Sequence, residues 1–305
     1  MVLPRPRLLA CDIDGTLLDA DGCLRPVVHD ALLLVAETGV RIVLAAGRAP
    51  WDGVAELMEA LDLHGSQITM QGAYISDPLT GVLERLRPIP ATTFLDGLRF
   101  AEELGIDPVV GLVDGHRATR LAPEAGFVAD GPGPRRFQTE RDLWSLTHST
   151  PIRLFLPTGP VRHRHVRAAA SVWFARQASI IWSDLSGIEL LGPRTDKGTA
   201  VAWLASRMGL EAEEVAALGD APNDMAMLRY AGRSAAMATA GIDVSRLADI
   251  VVPSSNADGL LAALAWFFPD LAPAFGQPIP SQPTAIDAFR RHRATHDEPT
   301  RDMPA

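Results

Sequence analysis

A short apolar run followed at once by two aspartates and a glycine is the feature that most constrains this chain. Residues 7–11 read Arg-Leu-Leu-Ala-Cys, which is typical of a strand buried on both faces. Because alternate strand residues point the same way, Asp12 and Asp14 are both expected at the carboxyl end of that strand. Gly15 then lets the chain turn sharply. Open α/β sheets bind ligands at that edge, so a functional site is predicted there.

An Asp-Gly pair alone is also common in ordinary loops. The longer pattern D-x-D-G-T-L over residues 12–17 would arise by chance in a chain of this length on the order of 10⁻⁴ times. The pattern therefore favours a functional site over a simple turn. Two crowded carboxylates repel each other unless a cation lies between them, and Mg²⁺, which prefers oxygen ligands, meets that need.

Composition narrows the class of protein. A length of 305 residues allows two domains, and 47% hydrophobic with 21% charged residues is typical of a soluble globular protein. The formal net charge of −9 argues against a nucleic-acid partner, which would require a basic face. We expect neither a signal peptide nor a membrane span, and Cys11 and Cys23 imply no disulfide framework. A cytoplasmic location is the expectation.

The predicted elements describe a core that is interrupted by an insertion. Apolar strands alternate with amphipathic helices over residues 1–81 and again over 192–269. This alternation predicts an α/β fold with a doubly wound, Rossmann-like parallel sheet that helices cover on both faces. Residues 66–70 are expected to form the third strand of that sheet.

Residues 82–191 follow a different rhythm, in which helices are mixed with hairpins. One hairpin is predicted to turn at Asp114-Gly115. The segment is therefore expected to be an inserted α+β domain with an antiparallel sheet. Residues 270–305 are rich in proline and charge, so they are expected to form a disordered tail.

Clusters of polar residues follow the predicted strands or begin the predicted helices. If the strands are parallel, these turns meet at one edge of the sheet. Phosphoryl transfer needs such a set: acids for a nucleophile, a proton carrier and a metal, a lysine for negative charge, and helix N-termini for phosphate. Capping alone also favours acids at helix starts, and a lone lysine is usually solvated, so the prediction rests on the combination. The clusters are Asp12 with Asp14, Ala46-Gly47-Arg48, Lys197, and Gly219-Asp220 with Asn223 and Asp224.

These motifs resemble the haloacid dehalogenase-like (HAD) phosphatases, in particular the Cof-type branch with a subclass IIB cap. The resemblance covers about residues 7–268. It implies that the insertion at 82–191 is a cap that closes over the site and sets substrate choice. The matching residues are Asp12-Ile13-Asp14-Gly15-Thr16, Asp196-Lys197-Gly198, Gly219-Asp220 with Asn223-Asp224 and Met227-Leu228, and Asp258-Gly259.

The resemblance also implies a role for each acid. Asp12 would be the nucleophile that becomes an aspartyl-phosphate. Asp14 would protonate the leaving oxygen and then activate water, with its backbone carbonyl on Mg²⁺. Asp220 would be a direct metal ligand, Asp224 would support the metal, and Asn223 would fix the metal or the phosphate.

The phosphate would be bound by the turn at residues 46–48, and Lys197 would neutralise the nucleophile and the phosphate. The family carries Ser or Thr at the position of Ala46, so the amide is expected to remain while the hydroxyl donor is absent. Loss of one transition-state donor can lower a rate on the order of 10²-fold. Two further departures, Gln71 in place of Asn and Thr239 in a Met-x-Asn-Ala loop, bear on local geometry.

The expected function is that of a Mg²⁺-dependent phosphatase acting on small organic phosphates, such as sugar phosphates or phosphorylated cofactors. Ala46 keeps a second hypothesis open, a weakly active or non-catalytic protein that binds phosphometabolites. A third is a phosphotransferase that passes the phosphoryl group to a sugar hydroxyl. The sequence names neither the substrate nor the oligomeric state. Several residues of the insertion could face a substrate, although ordinary surface positions are the simpler interpretation: His116, Arg117, Arg153 and Trp182.

Overall fold

The computed structural model describes residues 3–119 and 137–277. In chain order, residues 3–119 form β1 (Leu8–Cys11), α1 (Pro26–Glu37), β2 (Arg41–Leu44), α2 (Val54–Ala60), β3 (Gln67–Thr69), β4 (Tyr74–Ser76), β5 (Leu83–Leu86), α3 (Ala91–Glu103), β6 (Val109–Leu112) and β7 (Gly115–Ala118). Residues 137–277 form β8 (Phe137–Thr139), β9 (Arg153–Pro157), α4 (Gly159–Trp173), β10 (Ser179–Ile181), β11 (Gly187–Leu191), α5 (Lys197–Arg207), β12 (Val215–Gly219), α6 (Met225–Tyr230), β13 (Arg233–Met237), α7 (Ile242–Ser245), β14 (Ile250–Val252) and α8 (Gly259–Phe267).

Five parallel strands form the core sheet, in the order β14-β13-β12-β1-β2. The residues of β1 alternate between two layers of helices. Leu9 and Cys11 belong to the cluster that contains α1 and α8, whereas Leu8 and Ala10 belong to the cluster that contains α5 and α6. Because both faces are covered, every residue of β1 has to be apolar. The predicted doubly wound core is confirmed.

The expected third strand forms a separate ribbon. Residues 66–70 meet the core sheet at one bridge, between Ala45 and Ile68. β3 pairs antiparallel with β4, and β4 pairs with β5. Met70 and Gln71 have positive φ angles of 45° and 58°, which end β3 and turn the chain back into β4. The prediction of a third parallel strand is therefore wrong beyond that one bridge.

Six strands form a second sheet, here called the cap sheet, in the order β10-β11-β9-β6-β7-β8. All its pairs are antiparallel except β7 with β8. α3 and α4 cover one of its faces, where Phe94 and Val166 pack with Leu154 and Leu190. The mixed α+β character expected for the insertion is confirmed.

Two details of this region differ from the sequence prediction. Leu112 pairs with Gly115, so the hairpin turn lies at Val113-Asp114, one residue earlier than predicted. β5 was expected to open the insertion, but it pairs with β4 and not with the cap sheet. We keep the boundary at residue 82 as a proposal, with β5 acting as part of the connection between the two sheets.

The chain after α8 stays attached to the core for longer than expected. A single 3₁₀ turn at Ala272–Phe275 packs into the cluster that contains α1 and α8, and both of its end residues are buried. The expected tail therefore cannot start at 270, and the rest of it, 278–305, lies outside the described residues. Across the described ranges, no helix combines the length and the apolar character that a bilayer span requires.

Candidate active site

The carboxyl ends of three neighbouring strands place the site. Asp12 follows β1 directly, the turn at residues 46–48 follows β2, and Asp220 follows β12. Lys197 is the first residue of α5, which Asp196 caps by accepting a hydrogen bond from the Thr199 amide at 2.7 Å. The parallel register brings these segments to one edge of the core sheet, as the sequence predicted.

A buried ion-pair cluster lies at the centre of this edge. The Nζ of Lys197 donates to Asp12 Oδ1 at 2.5 Å and to Asp224 Oδ1 at 2.7 Å. Lys197 and Asp224 are 0% exposed and Asp12 is 5% exposed. Burial alone would lower the pKa of Lys197, but the two carboxylates outweigh it and hold that pKa above its usual value. Lys197 is therefore a fixed positive charge beside the Asp12 carboxylate.

A third acid, Asp220, joins this cluster, so three carboxyl groups share a single ammonium group. Asp12, Asp220 and Asp224 each offer an oxygen that lies within 4.8 Å of the others. Burial and the nearby Asp224 carboxylate raise the pKa of Asp12 well above its usual value. The same two causes raise the pKa of Asp220 to about 6. Three acids facing one ammonium group fit a hard divalent cation, since such a cation prefers oxygen ligands and would lower both pKa values.

The three acids are not equivalent. Asp224 uses Oδ1 for Lys197, and its Oδ2 accepts the backbone amides of Asp220 and Ala221 at 3.0 Å each. Both oxygens of Asp224 are thus already engaged, one with Lys197 and the other with the backbone of its own loop. Within the described ranges, the Asp220 carboxylate accepts one hydrogen bond, from the Thr16 hydroxyl at 3.2 Å. The geometry therefore favours Asp12 and Asp220 as the direct ligands and Asp224 as the support of the loop.

Gly15 is required for this approach. It has a φ of +80°, and a Cβ atom there would lie 2.5 Å from Asp220 Oδ2. Any side chain would therefore displace the carboxylate as well as strain the backbone. The glycine of the D-x-D-G-T pattern thus makes room for an acid that lies 205 residues further along the chain.

The raised pKa of Asp220 predicts how stability depends on pH when divalent cations are absent. The pKa of Asp220 is about 6 in the folded protein and 3.8 in the unfolded chain, so folding favours the protonated carboxyl. The contribution of Asp220 to stability is therefore fully present below about pH 4 and is lost as pH rises through 6. At pH 7.5, Asp220→Asn should be about 1–2 kcal/mol more stable than wild type, allowing for solvent screening. Urea titrations in EDTA at pH 7.5 and pH 4 measure this difference. A difference that is equal at both pH values would contradict the assignment.

Asp14 lies apart from the buried cluster. Its carboxylate accepts two hydrogen bonds from Arg48, from Nε at 2.9 Å and from Nη2 at 2.5 Å, and its side chain is 61% exposed. Asp14 has φ −82° and ψ 121°, and Gly15 turns the chain directly after it. The expectation that both carboxylates point into one site is therefore met only in part, because β1 ends at Cys11 and the turn separates them. Asp14 occupies the solvent side of the site.

The turn after β2 also differs from the expectation. The sequence suggested that the Ala46 amide would be available to a phosphate. In the structure this amide donates to the Ile68 carbonyl at 2.9 Å, so it is not available. The amides of Gly47 and Arg48, in contrast, donate to no acceptor within the described residues. Two adjacent N–H groups of this kind suit an anion. Of the three amides at residues 46–48, those of Gly47 and Arg48 are therefore the ones that could bind an anion.

Asn223 is turned toward the cap side of the site. Its Nδ2 donates to Gln71 Oε1 at 3.0 Å, and Gln71 Nε2 donates to Glu189 Oε1 at 2.7 Å. Glu189 was missed by the sequence analysis. The signal that could have found it is a carboxylate in the middle of an otherwise apolar strand, Ile188-Glu189-Leu190-Leu191.

Other residues of the insertion divide between the two faces of the cap sheet. His116 lies 3.5 Å from Asp52 of the core, measured from Nε2 to Oδ2, and burial lowers its pKa. Arg117, the next residue, forms an ion pair with Asp114 at 2.8 Å within its own hairpin. Arg153 reaches the core, as described below.

Comparisons with known proteins agree with this geometry. A family model for haloacid dehalogenase-like hydrolases matches residues 9–264. Phosphatase YwpJ of Bacillus subtilis strain 168 is 24% identical over 286 residues, which cover 83% of this chain and 97% of the relative. BT1666 of Bacteroides thetaiotaomicron, a solved structure from a study of HAD phosphatases, is 26% identical with a TM-score of 0.71 and coverage of 89% and 96%. The subclass IIB sugar phosphatase BT4131 has a similar fold, with 21% identity, a TM-score of 0.72 and coverage of 83% and 96%.

The parallel core sheet with an acid cluster at its carboxyl edge, together with the family match, places the chain among hydrolases with a Rossmann-like core. The chain belongs to the haloacid dehalogenase-like hydrolase family. The predicted family and the prediction of a phosphatase-type hydrolase are confirmed.

Proposed function

We propose that this chain is a Mg²⁺-dependent phosphatase that hydrolyses small organic phosphate monoesters through an aspartyl-phosphate at Asp12. The proposal rests on the cluster in which Lys197 donates to both Asp12 and Asp224. Asp220 lies close enough to these two acids to share a metal ion with them. Sugar phosphates and phosphorylated cofactors are the proposed substrate class, because the Lys197 ammonium and the Gly47 and Arg48 amides suit a phosphoryl group and the cap would select the rest of the molecule.

Asp12 is the proposed nucleophile. Lys197 holds Oδ1 of Asp12, which leaves the other carboxylate oxygen to attack phosphorus. In the first step an Asp12 O–P bond forms and the ester O–P bond breaks. In the second step water attacks phosphorus, inorganic phosphate leaves, and the Asp12 carboxylate is regenerated. Bound Mg²⁺ would supply charge neutralisation of the phosphoryl oxygens, held by Asp12 and Asp220 with the Asp14 carbonyl as a third proposed ligand.

Asp14 is the proposed proton carrier. Its position on the solvent side is where an entering ester would place its leaving group, and its carboxyl can pass a proton to the leaving oxygen and then take one from water. Arg48 now holds that carboxylate with two hydrogen bonds. The amides of Gly47 and Arg48, together with Lys197, are the proposed donors to the phosphoryl oxygens. Asn223 donates to Gln71, and its proposed role is to hold the loop after β12, not to bind phosphate.

A panel of phosphate esters, assayed with Mg²⁺ and with EDTA, tests this function. We expect inorganic phosphate to be released from at least one sugar phosphate or phosphorylated cofactor with Mg²⁺ present, and at least about 10²-fold more slowly in EDTA. The Asp12→Asn protein, purified in the same way, gives the background rate. Release that is equally fast in EDTA, or equally fast in Asp12→Asn, would refute the proposal.

A second candidate function follows from Ala46, whose methyl group replaces a hydroxyl donor and whose amide is used in the sheet. With one donor fewer, the site would bind phosphometabolites and turn them over slowly. The same panel separates the two, because binding of an ester without release of phosphate favours the second. Appearance of the phosphoryl group on an added sugar acceptor would instead identify a phosphotransferase.

A further inference from the structure

Helices α3 and α4 cover one face of the cap sheet, and Arg153 and Glu189 lie on the other face. The register places Leu191 opposite Arg153 and Phe155 opposite Glu189 on the antiparallel strands β9 and β11. Alternation along a strand therefore puts Arg153 and Glu189 on one face, whereas Leu154 and Leu190 point to the α3 and α4 side. The face that carries Arg153 and Glu189 contacts the core at Gly47 and Gln71.

From this face a chain of hydrogen bonds crosses to the core. Arg153 Nη1 donates to the Gly47 carbonyl at 2.7 Å and to Glu189 Oε2 at 3.1 Å. The other oxygen of Glu189 accepts Gln71 Nε2 at 2.7 Å, and Gln71 Oε1 accepts Asn223 Nδ2 at 3.0 Å. Arg153, Glu189, Gln71 and Asn223 are each at least nine-tenths buried. These hydrogen bonds thus link the turn at residues 46–48, here called the phosphate turn, with the loop after β12, through two residues of the cap.

A buried ion pair of this kind contributes little net stability, because desolvation offsets the attraction. What it does fix is geometry. The peptide between Gly47 and Arg48 is planar, so a carbonyl that is held toward the cap forces the Arg48 N–H to point in the opposite direction. That N–H is one of the two amides for which the described part of the chain provides no acceptor. Gly47 has to be glycine for this arrangement, since a Cβ there would lie 2.6 Å from Gln71 Nε2.

We propose that Arg153 is a positioning residue of the reaction, which holds the phosphate turn in its anion-binding conformation while the cap is docked. Glu189 keeps the guanidinium in place, and Gln71 connects this ion pair to Asn223 in the loop after β12. Anion binding at the turn and docking of the cap onto the core are therefore coupled through this one guanidinium. The inference rests on the proposed phosphatase site, and it adds a cap residue that the motifs of the core do not contain.

Binding of inorganic phosphate in the presence of Mg²⁺, measured by calorimetry on the full chain, tests the inference. Arg153→Met should weaken phosphate binding by about 10- to 100-fold, since misplacement of an oriented donor by about 1 Å can have effects of that size. Arg153→Lys keeps a donor for the Gly47 carbonyl and should recover part of the loss. If Arg153→Met does not fold, Arg153→Lys and Glu189→Gln provide the same comparison with smaller effects.

Arg117→Met is the matched control. Arg117 is another buried arginine of the cap sheet with an acidic partner, Asp114, but its ion pair stays within its own hairpin. Its replacement should leave phosphate binding within about two-fold, even if both variants lose similar thermal stability. Equal phosphate affinity in Arg153→Met and wild type would overturn the inference, as would an equal loss in Arg117→Met. Failure of the phosphatase proposal is distinct, because it is an absence of turnover in a wild-type protein that still binds phosphate.

Discussion

Asp12→Asn is expected to lower the phosphatase rate by at least about 10⁴-fold, because the substitution removes the oxygen that attacks phosphorus. The fold should survive this change. Lys197 keeps its bond to Asp224 at 2.7 Å, and the cluster loses one of three carboxylates that repel one another. Steady-state rates on the best ester from the panel, together with urea unfolding of both proteins, measure the two effects separately.

Asp196→Asn is the control for this experiment. It neutralises a carboxyl that is next to Lys197 in the sequence but serves as the N-cap of α5, where asparagine is equally suitable. It should change the rate by less than about three-fold, as a retained cap implies. A similar loss of rate in both variants would mean that charge at this edge, and not the nucleophile at position 12, determines activity.

Lys197→Met is expected to lower the free energy of unfolding by about 3–5 kcal/mol, as removal of one member of a buried ion pair does. Asp12 and Asp224 would then face each other with no cation between them. Catalysis should be lost as well, because the nucleophile and the phosphoryl group would have no fixed positive charge. Urea titrations with and without Mg²⁺ measure the stability, and Mg²⁺ should stabilise the variant more than it stabilises wild type.

A double substitution provides the check on that interpretation. In Lys197→Met/Asp224→Asn the repulsion is relieved, so part of the lost stability should return while activity does not. If the double variant is less stable than Lys197→Met by the full effect of Asp224→Asn alone, the two residues are not coupled.

Lys197 is the only lysine in the sequence, and every other cationic side chain among the 28 is arginine. Its compact ammonium group donates to both Asp12 and Asp224 in the buried cluster. This count is a signal that the sequence analysis did not use. It also makes lysine-specific isotope labelling a direct probe, since one side-chain resonance reports on the cluster and should move on Mg²⁺ binding.

The core of the site could be predicted because it depends on local patterns. An apolar strand followed by Asp12 and the start of α5 at Lys197 are each read within a few residues, and parallel strands necessarily bring their carboxyl ends together. The hydrogen bond of the Ala46 amide could not be predicted, because it depends on the parallel bridge between Ala45 and Ile68 just after β2. Nor could the separation of Asp14 from Asp12, which follows from the end of β1 at Cys11 and from the reach of Arg48.

The sequence by itself determined the class of fold, the family and the three acids and one lysine at the centre of the site, because strand and helix patterns are local and the motifs have fixed spacing. Only the tertiary structure decided how the cap meets the core. The bonds of Arg153 to Gly47 and of Gln71 to Glu189 join residues 106 and 118 positions apart. Contacts of that kind arise from the register of two sheets and the way they pack, which no local pattern records.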